Sequence, residues 1–347
     1  MKAHAVLKSQ ATVGALIGRV LCHDVRDGAK KVVGQKGQTL DRALAERILG
    51  CEWEELHLLE LESGDLHEEE AGARLAQAVV GDGVQVKGYT GGQWALTAAR
   101  RGLVKVRTGP LSEVNSFEGI SVFTLFDGQP VEAGEVVAKA KVTPLVIASA
   151  TIAEVERLAR QAGGMLLVSA FTPLVIGAVA RESLDDKQRQ RFESALKEKT
   201  AWFGSRLLPI RYAGGTPLAV AKELQALKDS GANVLIVAGA SALDPLDPVF
   251  RALELIGARM ERHGVPAHPG SLLWLAEWDD VLPIVGMPTC GMFSQATTFD
   301  LVLPQILADS HVDKDWFAAL GEGGLLSREM AFRFPPYRAG APRGELE

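Results

Sequence analysis

Cysteine is scarce in this 347-residue chain: Cys22, Cys51 and Cys290 are its three cysteines, and no two stand in a CxxC pattern. That spacing argues against a disulfide framework and a cysteine zinc site, and it fits a reducing cytoplasm. Long apolar runs are lacking too. No window approaches the ~18 uninterrupted apolar residues of a membrane span. The apolar stretch at the N-terminus is broken by Lys8, Ser9, Gln10 and Arg19, so it reads poorly as a signal peptide. Nor is there a block of Lys and Arg on the scale of a nucleic-acid tail. With 37 basic against 43 acidic residues and a formal net charge of −6, phosphate-backbone binding needs a local basic patch, and none stands out. The expectation is a cytoplasmic protein with neither membrane nor nucleic acid among its partners.

What is present suits a globular chain. The composition is 47% hydrophobic and 23% charged, enough to bury a substantial core. At roughly 150 residues per domain, about two domains are expected. The two halves differ in pattern. Residues 1–148 are rich in short, Gly-punctuated apolar runs such as GALIGRVL, LHLLELE, GLVKVRTG and ISVFTLFDG, which read as strands. They predict a β-rich N-terminal region, divisible into two small subdomains. Helices are expected at 40–49 and 67–80, the second burying Ala71, Leu75, Ala78 and Val79 behind an acidic first turn. The segment 127–142 has two Gly turns between valine-rich strands, as small barrels and sandwiches do. A connector helix and strand fill 149–171. The helix is expected to start at Thr151 with a capping box to Glu154, and to stop at Gly163-Gly164.

From residue 172 to 310 the pattern becomes strand, helix, strand, helix. Strands are expected at 173–180, 206–213, 233–239 and 281–286, with helices at 185–204, 217–231, 248–258 and 294–307. Such alternation predicts an α/β domain: three layers, a mostly parallel sheet and helices on both faces. Ligands in these sheets sit at the carboxyl ends of the strands. A tail follows from 311 to 347.

The strand ends therefore hold the candidate site. Gly239, Ala240 and Ser241 place minimal side chains after a strand, where a phosphate or pyrophosphate can approach the backbone and Ser241 can offer a hydroxyl. Packing in a tight turn explains the same residues as well, because this is neither a GxGxxG nor a P-loop motif. Asp244 and Asp247 follow. Carboxylates near phosphate imply a divalent cation such as Mg²⁺, or bonds to ligand NH and OH groups. Asp247 also reads as the cap of the helix that Pro248 opens, and that is the better reading for it. Glu182, Asp185 and Asp186 lie between a strand end and a helix start, where acidic residues are common for dipole reasons alone. His263 and His268 form a weak metal signal in a Pro- and Gly-containing loop. Cys290 sits where a strand passes into a helix. A buried, inert thiol is the default reading for it.

Taken in order, these motifs resemble the molybdopterin-binding domain shared by cofactor-assembly proteins of the Mog/MoaB type and the molybdopterin molybdotransferases. The resemblance spans residues 172–310. VARESLDD supplies Glu182 and Asp186; AGASALDPLD supplies Gly239, Ser241, Asp244 and Asp247. Gly264 with Pro269 and Gly270 matches a third loop, and Gly286 with Pro288 a fourth. Segments such as GRVLCHDV and LESGDLHEEEAGARLA extend the resemblance to a stand-alone bacterial group of molybdopterin-binding proteins. The resemblance implies binding of molybdopterin or its adenylylated form, assistance by Mg²⁺ at Asp244 and Asp247, and self-association. It also implies a molybdoenzyme or another cofactor-assembly protein as partner. Three departures mark this copy: Ala180-Arg181 stands for a Thr-Gly pair, Ala238 for the first of two glycines, and Thr289 for the glycine after Pro288. Each narrows the room for close backbone approach. The tail carries no cysteine, whereas the stand-alone group often ends in a cysteine-rich tail.

Overall fold

The computed structural model describes residues 1–181, 184–293, 297–308 and 312–337, the side chain of Arg328 excepted. Among these residues no helix is long and apolar enough to cross a membrane. The chain divides into two compact units. The first comprises Met1–Arg100, Val106–Leu125 and Ala133–Val168, and the second Arg101–Lys105, Phe126–Glu132 and Ser169–Glu347. It is a mixed helix-and-strand protein whose sheets are mostly antiparallel.

In the first unit, strands Lys2–Leu7, Glu55–Glu60 and Val20–Leu21 form an antiparallel sheet. Helix Arg42–Leu49 is capped by the Asp41 side chain, and its Leu44 and Ile48 join Leu21, Leu56 and Leu58 in one core. A second antiparallel sheet runs in the order Ile120–Thr124, Val136–Val142, Gln93–Ala98, Val84–Thr90. Helix Glu68–Val79 packs against it and buries Ala71, Leu75, Ala76 and Val79, with Ala76 in the place expected for Ala78. Two further expectations need correction. Val13–Leu16 is a helical turn, not the start of a strand, because the Thr12 hydroxyl accepts from the Ala15 amide and caps it. The connector helix begins at Ser149, so Thr151 lies inside its first turn, and the N-cap is Ala148, which has no side chain to cap with. Its stop is as expected, with Gly163 in the left-handed region at φ 66°.

The second unit is built on one seven-stranded sheet. In chain order its elements are β1 (Val175–Ala180), α1 (Asp186–Trp202), β2 (Arg206–Leu207), β3 (Arg211–Tyr212), α2 (Pro217–Asp229), β4 (Val234–Ala238), α3 (Pro248–Leu255), β5 (Arg259–His263), β6 (Trp274–Trp278), β7 (Leu282–Met287), α4 (Thr289–Phe293), α5 (Phe299–Leu307) and α6 (Lys314–Ala319). The expected strand over 206–213 is split into β2 and β3, since Pro209 between them has no N–H for the ladder. β1 pairs in parallel with β2, β3 and β4, and β4 in parallel with β7. Beyond β7 the sheet turns antiparallel through β6 to β5. Those two strands are a departure from the expected architecture; RMERH holds too many charges to stand out as an apolar run, whereas WLAEW, with Glu277 as its one charge, is an apolar, buried strand that the expected pattern left out.

Side chains of β1, β4 and β7 alternate between two faces, as the period of two requires. Ile176, Ala178, Val234, Ile236 and Val285 face Phe192 and Leu196 of α1 and Phe299, Val302 and Leu303 of α5. Val179, Leu235, Val237 and Ile284 face Val220 and Leu224 of α2 and Val249 and Leu253 of α3. Helices thus cover both faces, and the parallel strands all point their carboxyl ends the same way.

Candidate functional site

The register of the parallel strands brings four residues into one row: Tyr212 pairs with Ala180, Ala180 with Ala238, and Ala238 with Met287. The loops after β1, β4 and β7 therefore leave the sheet side by side. Ala238 is fully buried, and Gly239 turns the chain with φ 87°, in the left-handed region that glycine tolerates. Two turns follow, closed by the Asp244 amide on the Ser241 carbonyl (3.0 Å) and the Asp247 amide on the Asp244 carbonyl (3.0 Å). Ala240 is half-buried and Ser241 exposed.

Asp247 is the anchor of this loop. Its carboxylate is only 2% exposed. One oxygen accepts from the Val249 amide (2.8 Å), capping α3; the other accepts from the Ser241 amide (3.0 Å) and from the Arg181 guanidinium (2.6 Å). Charge-assisted bonds from every side make this a rigid knot. Asp244 is exposed and accepts from the Leu246 amide (2.9 Å), a local turn within the loop. No group of three or more His, Cys, Asp or Glu side chains among the described residues is placed to hold a metal ion. Of the expected Mg²⁺ pair, Asp247 is engaged in the cap and the Arg181 ion pair, while Asp244 is exposed in the loop.

Arg181 has the feature most open to a ligand. While its terminal nitrogen holds Asp247, its Nε is buried and has no hydrogen-bond partner among the described residues. A buried donor left without a partner is costly and calls for an acceptor. Glu182 lies outside the described residues. Asp186 is the first residue of α1 and exposed, while the cap itself is Asp185, in a reciprocal capping box with Gln188. Asp186 thus favours the helix dipole but is not brought into the Arg181–Asp247 network.

The other two motifs are scaffolding in large part. Gly270, at φ 111°, lies where a Cβ would meet Thr298 Oγ1 at 2.8 Å, and the Thr298 amide donates to the Pro269 carbonyl at 3.0 Å. Gly286 faces the Trp274 ring, not solvent. Pro288 is half-buried and its carbonyl accepts from the Gly291 amide (2.8 Å) in the first turn of α4. Cys290 is exposed there, its thiol pKa pushed up by partial burial. The His263 ring bonds the Ala242 carbonyl (2.7 Å) and so braces the 239–247 loop; the His268 side chain is exposed.

Tyr212 was not among the sequence candidates. It ends β3 at the rim of the same row, donates from its hydroxyl to Glu193 (2.9 Å), and lies under the Arg189 guanidinium at 4.6 Å. Partial burial, and then the bond to Glu193, push its phenol up to about 12. Its sequence signal, one aromatic residue after a proline-broken strand, was too slight to find it.

The fold and the row of loops define a mixed α/β unit with polar loops side by side at the strand ends. No family model matches the chain, and no curated protein matches it. Among solved structures it is similar to a putative molybdenum cofactor biosynthesis protein from Corynebacterium diphtheriae, at 12% identity and a TM-score of 0.27, over 45% of this chain and 99% of that one. A structure of MogA is similar at 14% identity and a TM-score of 0.25, over 38% of this chain and 92% of that one. At scores this low neither likeness transfers an activity.

Proposed function

We propose that the second unit binds a phosphate-bearing pterin of the molybdopterin type at the carboxyl ends of β1, β4 and β7, and that the protein serves molybdenum cofactor assembly or hand-over. The observation that carries this reading is the row Ala180, Ala238, Met287. Three of the four motifs that resemble the molybdopterin-binding domain lie at the ends of these strands, whose carboxyl ends are side by side. Arg181 supplies the chemistry a phosphate needs: a cation with one N–H that has no acceptor among the described residues. Ser241 adds an exposed hydroxyl, and Gly239 a bare backbone.

Binding without turnover, as a sensor or carrier, is the second reading, and the Arg181–Asp247 pair favours it. A carboxylate held by two amides and a guanidinium in a nearly dry site is stabilised in its charged form and committed to the loop, which makes it a poor general base. On either reading the recipient is a molybdoenzyme or another assembly protein, and self-association is part of the proposal. The test is titration of purified protein with molybdopterin and with its adenylylated form, followed by calorimetry and pterin fluorescence. Saturable binding is expected, weakened by Arg181→Met and not displaced by ATP. Absence of saturable binding to either form refutes the proposal; displacement by ATP or GTP points to a general nucleotide site.

A further inference from the structure

The last described stretch of the chain, Gly321–Tyr337, contains no residue of the sequence candidates, yet it is bonded to the loops that do. The His268 amide donates to the Gly324 carbonyl (2.7 Å), and the Leu326 amide donates back to the His268 carbonyl (2.7 Å). His268 is thus gripped on both sides by backbone, next to Pro269 and Gly270. The fit is tight. A Cβ on Gly324 would lie 2.4 Å from the carbonyl oxygens of both Pro266 and Leu320 and 3.2 Å from Ala267 Cα, all backbone atoms that cannot swing aside. Leu326 and Phe334 pin the stretch by burial against Leu301 of α5.

Its far end reaches the same loops from below. The Tyr337 hydroxyl donates to Asp300 Oδ1 (2.8 Å), which also pairs with the buried Lys199 ammonium. The other Asp300 oxygen accepts from the Thr297 amide and hydroxyl, each at 3.0 Å. Thr298, the next residue, bonds the Ala267 and Pro269 carbonyls through its hydroxyl at 3.1 Å each. Asp300, Lys199 and Thr297 are all at most 1% exposed, so this chain of bonds is dry, where each is electrostatically stronger than in water.

We propose that Gly321–Tyr337 is a positioning strap: it sets the 264–270 loop, and the 297–300 turn that braces it, in their ligand-ready arrangement, with Gly324 and Tyr337 as its two fixing points. A strap that only finished the fold would need its leucine and phenylalanine pins, not a two-sided backbone grip on the 264–270 loop and a buried bond under the turn that braces it. The consequence for ligand binding rests on the proposed pterin site; the consequence for loop rigidity does not.

Two measurements on the full chain separate them. Gly324→Ala lifts the strap from Pro266 while leaving every pin and the buried ion pair in place. The expected result is amide exchange at 264–270 and at Leu326 faster by about tenfold or more, with exchange in β1 and β4 unchanged. Adenylylated molybdopterin should then bind at least about tenfold more weakly, about 1.4 kcal/mol. Tyr337→Phe, which removes only the hydroxyl, should speed exchange at Thr297 and Thr298 by a smaller factor, and Tyr337→Ala by a larger one. Unchanged exchange at 264–270 in Gly324→Ala overturns the strap, as does loosened exchange with unaltered pterin affinity. If the unmodified protein binds no pterin, the pterin reading falls, and the exchange measurements alone decide whether the strap positions the loops.

Discussion

Gly286 gives the sharpest division between a glycine kept for a ligand and one kept for packing. It sits in β7 directly opposite Trp274 of β6, and the indole folds over it. A Cβ built on Gly286 would lie 2.0 Å from Trp274 Cε2, 2.1 Å from Nε1 and 2.3 Å from Cδ2. Trp274 is 1% exposed and held edge-on by Phe250 with ring centroids 5.5 Å apart, so it has nowhere to retreat. Overpacking of a filled core costs about 1–3 kcal/mol and sometimes more, and a rigid ring puts Gly286→Ala at the top of that range. At about 2–4 °C per kcal/mol for a unit of this size, ~3 kcal/mol corresponds to a fall of about 6–12 °C in the melting temperature of the second unit. Differential scanning calorimetry reads it directly. Adding Trp274→Leu makes room, so the double variant should be less destabilised than the sum of the singles by about 1 kcal/mol or more. A Gly286→Ala protein that melts with the wild type, yet binds pterin more weakly, would refute the packing assignment and return Gly286 to the ligand.

Two other predictions follow from the site. Arg181→Met leaves Asp247 its two amides but strips a buried carboxylate of its cation, which should cost about 1–3 kcal/mol; an unchanged urea midpoint shows that the pair contributes nothing. Tyr212 should titrate at about 12 by its absorbance, against an ordinary value of 10.0, and fall back part-way in Glu193→Gln. Because its folded value is raised above the unfolded one, the associated stability is present in full below pH 10 and lost as pH rises towards 12. Alkaline unfolding in that window that is identical in Tyr212→Phe contradicts the assignment.

Much of the local structure was legible from residue order. Asp247 with Pro248, and Gly163, mark their helix ends through chemistry confined to a few neighbouring residues. Asp247 as a cap could be read for the same reason. Its partner Arg181 could not, because 66 residues separate them and nothing in either neighbourhood encodes the meeting. The antiparallel β5 escaped notice because an edge strand with a charged face carries no apolar run to signal it; β6 does carry one, WLA, within a strand of five residues.

Thus the sequence by itself determined the alternation of strands and helices from 173 to 255 in outline, the helix ends at Asp247 and Gly163, and the small residues at the ends of the strands. Those are properties of short windows, where period, propensity and turn chemistry act. Only the tertiary structure decided which small residues turn the chain and which make room for a side chain. Gly239 is a left-handed turn after β4, while Gly270 makes way for Thr298 and Gly286 for Trp274. The distinction lies in what packs opposite a missing Cβ. That partner is supplied by pairing and packing between segments far apart in the chain, and no local pattern specifies it.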